Sequence, residues 1–106
     1  MMFFKDVFEN NVRLTEERLR HVRATHPELS KQLSKVKKTL SQPEQVVASK
    51  ADAGVRLFYR FWEETPVGPK HLCVVVKWKE EDYFVLTAYF TDTVKRGELI
   101  WTMGRK

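Results

Sequence analysis

Cysteine is nearly absent: Cys73 is the only one in 106 residues. No intramolecular disulfide can form, which excludes the stapled scaffolds of small secreted domains and makes a reducing cytosol the expected compartment. Cys73 lies inside an apolar run and is expected as a buried small hydrophobe. The four glycines are scattered, so there is no glycine-rich phosphate loop. No GxSxG nucleophile elbow occurs. HExxH and paired-cysteine spacings are also missing, and His21 and His26 would sit about 140° apart around one helix. No metal site and no cofactor is expected. The longest wholly apolar runs fall far short of a membrane span. Met1-Met2-Phe3-Phe4-Lys5-Asp6 lacks the apolar stretch and small-residue cleavage site of a signal peptide. A membrane is therefore not an expected partner.

Acidic residues are in deficit. Nineteen Lys and Arg stand against 14 Asp and Glu, leaving a net charge of +5. Such a balance favours anionic partners. The apolar fraction of 42% suffices for one modest core, so residues 1–106 read as a single domain.

Thr15 reads as a helix N-cap, with Glu16 and Glu17 suited to the positive helix end. Leu19 and Val22 supply the apolar stripe of a first helix running to about Thr25. His26-Pro27 breaks it, because the residue before proline disfavours the α region. Pro27 is placed to open a second helix, with Leu29, Leu33, Val36 and Leu40 at helical spacing. After Pro43 the period changes to two. Strands are expected near Val46–Ser49, Val55–Glu63, Leu72–Lys79 and Tyr83–Thr91. Short connections imply antiparallel neighbours. Phe3 to Phe8 reads as a short edge strand or docking arm, and Ile100 and Trp101 are expected to dock on the sheet. The reading is α+β: two N-terminal helices packed on a four-stranded antiparallel sheet.

Alternate strand residues face opposite ways. Arg56, Phe58, Arg60 and Trp62 therefore share a face, and Lys77 is expected to join them from the next strand. In the last strand, Phe84, Leu86, Ala88 and Phe90 are placed against the helices, leaving Thr87, Tyr89 and Thr91 on the other face. Interleaved cations, hydroxyls and rings are what a phosphate-and-base surface needs.

The ordered strings Arg13-Leu14-Thr15, Glu17-Arg18, His21 and His26-Pro27-Glu28-Leu29 resemble the opening of a family of small bacterial and phage-associated proteins. Pro43-Glu44 with Val46 and Ser49, Leu57-Phe58-Tyr59-Arg60, Val74-Val75-Val76-Lys77, Thr87-Ala88-Tyr89 and Lys95 with Gly97-Glu98 continue it. The resemblance spans roughly Arg13 to Trp101. That family is grouped with the barnase–EndoU–colicin–RelE-like ribonuclease superfamily. The resemblance implies helices on an antiparallel sheet and metal-independent RNA cleavage, in which the 2′-OH attacks the adjacent phosphate. A toxin paired with an acidic antitoxin or immunity protein would fit it.

Such chemistry needs a base, an acid and cations for the phosphate charge. His21 is the first choice for proton transfer, since an imidazole titrates near neutrality. Arg60 offers a bidentate fork and Lys77 a compact charge. Thr87 and Tyr89 are auxiliary contacts. Arg18, Arg56, Trp62 and Thr91, with Arg60 and Lys77, make up the expected RNA surface, which Arg20, Arg23, Lys31, Lys35, Lys37 and Lys38 would extend. A solvated face is the ordinary explanation of such helical cations. His26 is expected to be structural and His71 solvated, and Tyr59 is expected in the core. The rival reading is a non-catalytic RNA- or protein-binding module on the same fold.

Overall fold

In the computed structural model, which describes residues 1–104, the chain forms one seven-stranded sheet with two helices. Helix α1 (Glu16–Thr25) begins where expected: the Thr15 hydroxyl accepts from the Arg18 N–H at 3.1 Å. It ends at His26, whose N–H donates to the Val22 carbonyl. Pro27 does not open a long helix. Pro27–Leu29 is a single 3₁₀ turn, closed by the Ser30 N–H and hydroxyl, both donating to the Pro27 carbonyl. Helix α2 (Leu33–Ser41) starts afresh and buries Val36, Thr39 and Leu40.

The strands are β1 (Met2–Lys5), β2 (Asn11–Leu14), β3 (Gln45–Ala48), β4 (Val55–Trp62), β5 (Lys70–Lys79), β6 (Asp82–Thr91) and β7 (Glu98–Thr102). Their order across the sheet is β1-β2-β6-β5-β4-β3-β7. This corrects the expected four-stranded antiparallel sheet. Strands β3 to β6 form its antiparallel centre, but a short hairpin is added at one edge and β7 at the other. Strand β2 runs parallel to β6, so the sheet is mixed. The edge strand expected near Phe3 is β1, and Ile100 and Trp101 do dock on the sheet as part of β7; β2 was missed because four residues are too few for a clear period-two pattern. Asp6 organises the β1–β2 turn: its buried carboxylate accepts from the Phe8 N–H at 2.9 Å and the Asn10 N–H at 2.8 Å.

The helices cover one face. Val22, Leu29, Val36 and Leu40 pack there against Val46, Phe58, Leu72, Val74, Val85 and Ala88, with Phe4, Val12 and Leu14 from the hairpin. The other face buries Val47, Val55, Leu57, Tyr59, Cys73 and Val75. What crosses it is the strap from residue 92 to 97, which carries the chain from β6 to β7 at the far edge. Four interstrand spacings of about 4.8 Å must be covered, roughly the reach of six extended residues. The strap is therefore close to taut. Val94 packs on the second core, and the Lys95 N–H donates to the Tyr59 hydroxyl at 3.0 Å.

Candidate functional site

The register decides which candidate side chains can meet. In the β4–β5 pair, Arg56 lies opposite Val76, Phe58 opposite Val74 and Arg60 opposite Leu72. All three partners belong to the helix-side core. Arg56, Phe58, Arg60 and Trp62 do share a face, but it is the face the helices cover. Phe58 is fully buried at the centre of that row. The cations flank it. Arg56 stacks over the Phe8 and Trp78 rings at 5.1 and 5.9 Å. Arg60 lies 5.5 Å from the Trp62 ring centre and donates to the Gln42 carbonyl at 2.7 Å. Lys35 approaches Trp62 at 5.3 Å, and the indole N–H donates to Thr39. The row closes the two ends of the core and does not form an open platform.

Lys77 pairs with Val55 and therefore lies on the strap face, across the β-layer from Arg60. No phosphate clamp of Arg60 and Lys77 exists. Lys77 is instead held by Asp52 at 2.7 Å. That bond holds the Asp52 carboxyl below its ordinary range, helped by the Gly54 N–H. Thr87 lies opposite Val75, Tyr89 opposite Cys73 and Thr91 opposite His71, so these three share the strap face with Lys77. The Thr91 hydroxyl is engaged locally with the backbone of Thr93. In β6 only half of the expected helix-facing row is found there: Ala88 and Phe90 face the helices, whereas Phe84, opposite Lys77, and Leu86 do not. Leu86 is an extra residue with no partner on β5, and this bulge shifts the alternation. Val85 and Ala88 face the helices, while Leu86 packs on the strap side.

Past Phe84, β6 has no strand on its outer side, and α1 lies against it. Arg18 closes this edge. Its Nε and one terminal nitrogen both donate to the Leu86 carbonyl, at 3.1 and 2.8 Å. That is a structural task, and it occupies the fork expected to meet RNA. His21 is exposed on α1, whose buried residue is Val22, and it joins no other candidate. His26 does. Its ring centroid lies 5.8 Å from that of Tyr89, and its Nδ1 lies 3.7 Å from a Glu28 carboxylate oxygen. The Glu28 carboxylate is thus near the ring but beyond hydrogen-bond distance, and Tyr89 is its aromatic neighbour.

Beneath this edge sits a buried cluster. Tyr59 and Tyr89 flank Cys73 on the strap face, opposite it on β4 and β6. Burial pushes Tyr59 up to about 12 and the Cys73 thiol up to about 11, and it raises Tyr89 as well. All three stay protonated at neutral pH, so Cys73 is no nucleophile and Tyr89 is a hydrogen-bond donor. The positive charge of Lys95 reaches this cluster from the strap. Lys95 and Arg96, with Lys50, also line a concavity of about 460 Å³ floored by Val47 and Leu99, and no carboxylate lines it.

Sequence reasoning singled out neither His26, which it expected to be structural, nor Lys50, Lys95 and Arg96, which have no ion-pair partner among the described residues, as candidate site residues. The signal was weak: His26 was visible only as a helix stop, and the strap cations lay in a segment without periodicity. Among the described residues no cluster of three or more His, Cys, Asp or Glu is placed to hold a metal ion. No described helix is long and apolar enough to cross a membrane. Compared with protein-family models, curated proteins and solved structures, the chain matches none.

Proposed function

We propose that this chain is an RNA endonuclease that works without a metal, at the rim between His26 and the strap. The observation that carries the reading is the His26 imidazole, set against the Tyr89 ring on the strap face with the Glu28 carboxylate nearby. The resemblance of Arg13–Trp101 to the ribonuclease superfamily points the same way. His26 Nε2 takes the proton of a 2′-OH as its oxygen attacks the adjacent phosphorus. The bond from phosphorus to the 5′-oxygen breaks, leaving a 2′,3′-cyclic phosphate. The Tyr89 hydroxyl protonates the departing oxygen, and the imidazolium then returns a proton to Tyr89. The positive charge of Lys95, which reaches the Tyr59–Cys73–Tyr89 group from the strap, offsets charge that builds on the phosphoryl oxygens. The Thr87 hydroxyl lies between Lys77 and Tyr89 along this face and contacts the backbone of the bound strand. DNA lacks the 2′-OH and is left intact.

A second reading, a module that binds RNA without cutting it, is favoured by a separate observation: the strap concavity carries three cations and no acid, independent of any imidazole. One experiment separates the two. RNA and its 2′-deoxy counterpart are incubated with the protein in EDTA, and cleavage and binding are both measured. The enzyme reading expects cleavage of RNA only, a fall of about 10²-fold or more in His26→Ala, and no change in His21→Ala. Full activity in His26→Ala refutes it. Equal binding of both strands without cleavage supports the module.

A further inference from the structure

Among the described residues, strand β7 ends the sheet, with β3 on one side and no strand on the other. An edge strand presents a row of unpaired N–H and C=O groups, and natural edges are blunted by lysine, proline or a covering segment. The β7 sequence, Glu-Leu-Ile-Trp-Thr, contains neither residue, and its bulge at Ile100, between the Val47–Leu99 and Val46–Trp101 pairs, interrupts the edge at one point only. Leu99, Ile100 and the following Met103 are 55%, 36% and 48% exposed. Beside this apolar edge lie Lys95 and Arg96, which precede β7, and Lys50, which follows β3. None of the three has an ion-pair partner among the described residues. Leu99 pairs with Val47 and so faces the strap side, where these cations lie. Glu98 pairs with Ala48 and points the other way.

We propose that β7 accepts an acidic, extended segment of a partner protein as an eighth strand. The backbone of such a segment completes the hydrogen-bond ladder. Its alternate side chains put carboxylates against Lys95 and Arg96 and apolar groups against Ile100 and Met103. A second copy of this chain fits poorly, because each copy carries +5 and would bring the same basic flank to the contact. RNA would satisfy the cations but has no peptide N–H for the ladder.

The test uses fluorescent peptides of about eight residues, the length of an ordinary strand or slightly more. One alternates Glu and Val, one alternates Lys and Val, and one is the acidic peptide with prolines at alternate positions. The acidic peptide is expected to bind by anisotropy and to slow amide exchange in β7, while the other two do neither. The double variant K95E/R96E should bind it about tenfold more weakly or worse. Binding of the Lys/Val peptide, unchanged binding of the proline peptide, or no binding of the acidic one overturns the proposal. So does protection of β7 that grows with protein concentration alone, or protection by an RNA oligonucleotide equal to that by the peptide. His26→Ala leaves peptide binding unchanged, so the outcome is independent of the cleavage reading.

Discussion

Replacing Gly97 by alanine tests whether the strap is clamped to the sheet. A Cβ at this position would lie 2.3 Å from the Ala48 carbonyl oxygen and 2.6 Å from the Val47 Cγ1. Gly97 is not in the left-handed region, so the conflict is steric and not conformational. Val47 can give way by rotation. The Ala48 oxygen belongs to β3 and cannot move without disturbing its pairing with β7. Real Cβ contacts essentially never fall below 3.0 Å, so the strap must retreat by roughly 0.7 Å or more. Overpacking of this kind costs about 1–3 kcal/mol. The retreat also stretches the 3.0 Å bond from the Lys95 N–H to the Tyr59 hydroxyl, adding about 1 kcal/mol. Gly97→Ala should therefore lose about 2–4 kcal/mol in urea unfolding, at an unchanged m-value. Tyr59→Phe, which removes only the hydrogen bond, should lose about 1 kcal/mol. A Gly97→Ala cost below about 0.5 kcal/mol, the range of neutral surface changes, would refute the clamp.

Asp6→Ala should destabilise by about 2–4 kcal/mol in the same assay, because it orphans the Phe8 and Asn10 amides around a buried carboxylate, whereas Asp6→Asn should cost less. Arg18→Met should cost about 1 kcal/mol after allowance for partial exposure, and hydrogen exchange should show β6 loosening around Leu86. The Arg13 hydrogen bond holds the Asp82 carboxyl below its ordinary value of 3.8, and Lys77 does the same for Asp52. A folded pKa below the unfolded one gives stability that is present above about 3.8 and lost as pH falls through the folded values. Asp82→Asn should flatten that acid limb in unfolding curves recorded across the range. The Cys73 thiol, buried and pushed up to about 11, should resist a thiol reagent in the folded protein and react at the rate of unfolding. Rapid labelling under native conditions would contradict the packing of the second core.

Much of the chain was legible where a local rule acts alone. The Thr15 cap, the break at His26-Pro27 and the four central strands follow from side-chain oxygen geometry, proline sterics and β-branched runs. What was illegible depends on non-local pairing. Asn11–Leu14 reads as the approach to a helix and becomes β2 only because β1 and β6 flank it. Glu98–Thr102 has strand character, but nothing in its sequence selects β3 as neighbour. The face assignment failed for a sharper reason. Alternation places Arg56, Arg60 and Trp62 together correctly, yet it cannot say which side the helices will take, and a single bulge at Leu86 inverts half of β6.

That inversion bears on function as well as on fold. Arginines in an apolar row suggest an open basic surface, but on the helix side the guanidinium groups of Arg56 and Arg60 are spent against rings and a carbonyl. A cation engaged this way must give up its contact before it can bind a phosphate, and the contact itself favours the folded chain. Lys95 and Arg96 carry no such cost. They stand on a segment fixed at one point by Tyr59 and at another by the close approach of Gly97 to β3. The strap therefore presents charge that is positioned but uncommitted, on the face where the His26 ring meets Tyr89. If the strap were loosened by Gly97→Ala and ligand affinity stayed unchanged, these cations would have to act without being positioned, and the strap face would lose its claim over the helices as the binding surface.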